Sequence, residues 1–103
     1  MSRRQFEAHV RRALDSLPPP LAAELENVAV VVEESNPDEP DLYGLFEQPE
    51  YLPARISIYR TPLETDFGDD VAALEDEIRV TVLHELAHYF GIDEARLDEL
   101  GYG

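Results

Sequence analysis

The chain has 103 residues, is 44% hydrophobic, contains no cysteine and carries a formal charge of −15 from 23 acids against 8 bases. That length supports one modest core and so a single domain over residues 1–103. The missing thiols exclude disulfides, thiolate metal sites and cysteine nucleophiles together. The acidity excludes nucleic acid as the main partner, because phosphate binding needs a basic footprint.

An anionic membrane surface is disfavoured for the same reason. No stretch approaches the roughly 18 apolar residues that a span requires. The N-terminal arginines are followed by no apolar run, so no signal peptide is read and the cytoplasm is the expected compartment. All eight bases are arginine, and Arg3, Arg4, Arg11 and Arg12 fall in residues 1–20 beside only Glu7 and Asp15. Beyond residue 20 the chain is strongly acidic.

Ser2 followed by Gln5 reads as a capping box. Phe6, Val10, Ala13, Leu14 and Leu17 then follow helical spacing, until Pro18, Pro19 and Pro20 stop the helix. Residues 21–26 have room for a further turn or two. The β-branched run at 28–32 predicts a buried strand. Residues 33–41 hold five acids and two prolines, the composition of a solvated loop. A short strand is predicted at 42–46. Residues 55–60 alternate, with Ile56 and Ile58 on one face and Ser57 and Tyr59 on the other, which predicts a half-exposed strand. Residues 61–70 read as a turn-rich loop ending in Asp69 and Asp70, both suited to cap the long periodic helix at 71–90. A short final helix is expected over 93–100. The order predicts an α+β (α/β) domain with a thin sheet of about three strands.

The long helix contains His84-Glu85-Leu86-Ala87-His88, an HExxH motif. Residues four apart share a helical face with Cβ atoms about 5–6 Å apart, so two imidazoles can converge on one ion at about 2.0–2.1 Å. Glu85, about 100° further round, reaches a water on that ion rather than the ion itself. With 3 His in the chain, chance gives about 0.01 such motifs. On a helical wheel Glu77, Thr81, Glu85 and His88 fall within about 100° of His84 on one side, and apolar residues cover most of the rest. Such a helix is buried, and its polar sector is either satisfied or lines a cleft. A pair of histidines merely hydrogen-bonded to acids such as Glu77 is the plain alternative.

Gly91 follows three residues after His88 and lets the chain turn back. Glu94 is then placed to be a third ligand, with Asp98 competing and Glu99 weaker. His9 reads as a surface residue.

The stretch HELAHYFGIDEARLDELG resembles the zincin metallopeptidases, and more narrowly the small bacterial mini-zincins that read HExxHxxGxxD. The resemblance extends over nearly the whole chain, including Gly44-Leu45-Phe46 and the segment RISIYRTPLE, while its specific motif lies within residues 84–100. It implies a minimal zincin fold and zinc (Zn2+) held by His84 and His88, with Glu85 as general base. The matching third-ligand position is Glu94, where glutamate replaces the family's aspartate. Larger metzincins place a methionine turn beneath the metal, and the single methionine here is Met1.

The expected function is zinc-dependent hydrolysis of peptide bonds, with a peptide or protein substrate lying along the 42–46 strand as an added strand. Tyr59 and Tyr102 are the candidate oxyanion donors. The alternative is a non-catalytic zincin-fold binding or regulatory domain with a vestigial or empty metal site. Self-association into a homodimer is an expected source of stability for so small a core.

Overall fold

The computed structural model of the chain describes residues 1–90 together with Ala95 and Glu99, and within residues 1–90 it has four α-helices and a three-stranded sheet. Helix α1 (Arg3–Asp15) starts with the predicted reciprocal cap: the Gln5 N–H donates to Ser2 Oγ at 3.1 Å and the Ser2 N–H to Gln5 Oε1 at 2.8 Å. Its apolar stripe buries Phe6, Val10 and Ala13. Helix α2 (Pro19–Glu24) has prolines in its first turn, where a missing N–H costs nothing, and continues into a 3-10 turn at Leu25–Asn27.

Strands β1 (Val28–Glu33), β2 (Gly44–Glu47) and β3 (Ala54–Tyr59) lie in the order β1-β3-β2. Strand β1 pairs parallel to β3, with Val30 opposite Ile56, and β2 pairs antiparallel to β3, with Phe46 opposite Ile56. This is an α+β fold with a mixed sheet, as the sequence predicts. Two expectations about its strands are reversed. The β-branched run of β1 is a half-exposed edge, whereas the alternating β3 is the central strand and is buried on both faces except at Arg55. Even Ser57 is only 1% exposed. Burial follows position in the sheet, and β3 is covered by a neighbour on each side.

Residues 61–70 also depart from the expected turn-rich loop. Arg60–Phe67 form helix α3 rather than a loop. Pro62 lies in its first turn, where proline is tolerated, and Leu63 is fully buried. Asp70 alone provides the predicted cap of helix α4 (Val71–Phe90): its Oδ1 accepts from the N–H groups of Ala72 and Ala73.

The main core brings together Phe6, Val10 and Ala13 of α1, Ile56 and Ile58 of β3, Leu63 of α3 and Leu74, Ile78, Val82 and Leu86 of α4. A smaller cluster joins Leu17 and Leu21 to Leu83 of α4. No helix among the described residues is long and apolar enough to cross a membrane.

Candidate metal centre

Two packing constraints set the rotation of α4. Ile78, Val82 and Leu86 repeat every four residues against the sheet and α1, while Leu83 is held between Leu17 and Leu21. What remains of the last turns is split between two lines. Thr81, Glu85 and Tyr89, again four apart, meet β2. His84 and His88 lie on an exposed face beside them.

The contact with β2 is close because Gly44 has no side chain. A Cβ there would sit 2.6 Å from Thr81 Cγ2 and 3.1 Å from the Ser57 carbonyl oxygen. Next along the strand, the Phe46 N–H donates to Glu85 Oε2 at 3.0 Å. The Phe46 ring then stacks on Tyr89 with centroids 4.4 Å apart and planes 28° from parallel. The three residues of α4 thus engage β2 by a close approach, a hydrogen bond and a ring stack.

The register explains why Phe46 has an N–H to offer. The Tyr59 N–H donates to the Tyr43 carbonyl at 2.8 Å, so this opposed pair is of the hydrogen-bonded kind. Antiparallel alternation makes Leu45/Ser57 and Glu47/Arg55 the next such pairs, and turns the peptide groups of Gly44 and Phe46 away from β3. Strand β2 is an edge, and its outward groups face the side on which Glu85 lies.

Among the described residues, neither His84 nor His88 has a hydrogen-bond or ion-pair partner. Among the described residues, neither Glu77 nor another acid pairs with them. Two exposed imidazoles with free lone pairs, one turn apart and next to a carboxylate, fit a zinc ion in the chemistry of their donors. No group of three or more ligating side chains is gathered among the described residues. The expected third ligand Glu94 and its competitor Asp98 lie outside them, as do Gly91, Tyr102 and all of the expected helix at 93–100 except Ala95 and Glu99, both helical.

The other histidine is not the surface residue the sequence suggests. His9 Nδ1 is 2.7 Å from Glu75 Oε2, half-buried between α1 and α4. Tyr59, a candidate oxyanion donor, is also placed elsewhere: it is 3% exposed and its hydroxyl accepts from Asn36 Nδ2 at 3.0 Å. Just before β2, the Tyr43 hydroxyl donates to Asp66 of α3. That bond, with burial and the nearby charges of Asp66, Glu77 and Asp41, pushes the Tyr43 pKa up to about 12.

The Phe46 amide and the Phe46–Tyr89 stack were not read from the sequence. A backbone donor leaves no trace in side-chain pattern, and Tyr89 looks like one more apolar residue of a buried helix.

No match to the chain is found among curated proteins. The family model of the zincin-like metallopeptidases matches residues 25–103, which takes in the whole sheet, α3 and α4 and leaves α1 outside. A match over that much of the sequence, to a fold with the motif-bearing helix laid against an edge strand, means that the chain belongs to the zincin-like metallopeptidase family.

Proposed function

We propose that this protein is a zinc-dependent peptidase in which His84 and His88 hold the ion, Glu94 completes the ligand set and Glu85 is the general base. The observation that carries this reading is the pair of exposed imidazoles one helical turn apart, without a partner among the described residues, with the Glu85 carboxylate held beside them at the edge of β2. When bound, zinc would supply acidification of a water and polarisation of the scissile carbonyl. Glu85 accepts the proton released as the peptide carbonyl is attacked and hands it to the leaving amine. The outward peptide groups of Gly44 and Phe46 align an extended substrate by strand addition. The −15 charge favours cationic peptides at low salt.

One observation favours a second reading, a zincin-fold binding module. One oxygen of the Glu85 carboxylate is already committed to a backbone amide. A single pair of measurements separates the two. Protein purified without chelator is expected to carry about one zinc per chain, lost in His84→Ala and retained in Glu85→Ala. A peptide-library digest is expected to show cleavage that Glu85→Ala abolishes. Zinc without cleavage makes the protein a binding module, and no zinc uptake on titration overturns both readings.

A further inference from the structure

The Glu85–Phe46 hydrogen bond sits on one of the two donors that an added strand would also need. Strand β2 is the outer strand on the α4 side, and alternation leaves only Gly44 and Phe46 with peptide groups directed outward. Of these two N–H groups, that of Phe46 is occupied by Glu85 Oε2 at 3.0 Å. The two residues are 39 apart in sequence, so the contact is tertiary and owes nothing to local helix or strand geometry. It is a charge-assisted bond, roughly twice as strong as one between neutral groups, and Glu85 is itself only half-buried. Giving it up therefore costs little desolvation and exposes no orphaned charge.

We infer that Phe46 is a positioning residue: its N–H holds the Glu85 carboxylate against β2 in the resting protein, and an extended peptide docking on β2 takes that N–H and releases the carboxylate to the reacting centre. Docking and arming of the base are then one exchange, in which the peptide carbonyl gains the Phe46 N–H that Glu85 gives up. A peptide that fails to engage β2 leaves Glu85 in place. The consequence for catalysis rests on the peptidase reading. The exchange itself concerns only Glu85, Phe46 and the peptide, and is tested without zinc.

Amide hydrogen exchange on the metal-free full chain tests the resting contact. In wild type the Phe46 amide is expected to be protected. Glu85→Ala is expected to speed its exchange tenfold or more, with the Gly44 amide unaffected, and Glu85→Gln, which keeps a side-chain oxygen acceptor, is expected to restore most of the protection. Equal Phe46 rates in wild type and Glu85→Ala overturn the contact. The competition is tested by titrating both proteins with a mixture of N-acetylated, C-amidated pentapeptides and following the Phe46 amide resonance. Glu85→Ala is expected to reach its midpoint at several-fold lower peptide concentration. Equal midpoints overturn the exchange, and so does a Phe46 resonance that does not move in either protein. If zinc binding and cleavage fail while these results hold, the peptidase reading falls and the exchange stands as a property of a peptide-binding edge.

Discussion

The two outer strands of the sheet are held in place by opposite means. Strand β1 presents Val28, Val30 and Val32 to the main core and is secured by apolar area, without direction. Besides its ladder with β3 and the Val28 N–H on the Leu25 carbonyl, its backbone accepts a hydrogen bond from Arg3 of α1 at the Val32 carbonyl. Strand β2 is shorter and is secured point by point: Gly44 under Thr81, the Phe46 amide on Glu85, the Phe46 ring on Tyr89. Apolar area tolerates small shifts, whereas point contacts fix a strand to within fractions of an ångström. The strand built for precision is the one beside the histidines.

The comparison is broken most sharply at Gly44. Gly44→Ala forces Thr81 or β2 to move, and is expected to destabilise the protein by about 1–3 kcal/mol. Adding Thr81→Ser, which removes the Cγ2 methyl that lies 2.6 Å from the new Cβ, is expected to recover part of the loss. Denaturant midpoints of the single and double variants measure both effects, and strict additivity would mean that the contact is not the cause. On the other edge, Val30→Ala deletes apolar groups that are only partly buried and is expected to cost about 1 kcal/mol, with no rescue from any one neighbour.

A smaller effect sharpens the contrast through pH. The Tyr43 pKa is raised from 10.0 to about 12 by its bond to Asp66, so the folded state holds this proton more tightly than the unfolded chain does. The stability it contributes is complete below pH 10 and is lost as pH rises through about 12. Wild type is therefore expected to lose stability across that window relative to Tyr43→Phe. The two melting curves should converge at the alkaline end, and parallel curves would exclude Tyr43 as the source.

The sequence made the parts of this architecture that depend on neighbours in the chain readable. The Ser2–Gln5 cap, the Asp70 cap and the face shared by His84 and His88 each span five residues or fewer. The failures are long-range. An unbroken β-branched run looks like a central strand, but β1 is an edge because β3 inserts between it and β2. Alternation in β3 looks half-exposed, but Ser57 and Tyr59 are covered once the fold closes. Helix α3 was hidden by Thr61, Glu64, Thr65 and Asp66, since its only deep anchors are Pro62 and Leu63. In the site itself, the imidazole pair could be read from spacing, but the anchoring of Glu85 could not, because its partner is a main-chain group on another element.

Leu83 immediately precedes His84 and belongs to the small cluster with Leu17 and Leu21, not to the main core. The triple-proline corner between α1 and α2 thus gives α4 a rotational constraint of its own, which helps to set the azimuth at which both imidazoles leave the helix. Loosening that corner would leave the azimuth of both rings to the stripe of Ile78, Val82 and Leu86 alone. The aim of the histidines is thus shared between the α4 stripe and a segment that precedes the family-matched part of the chain.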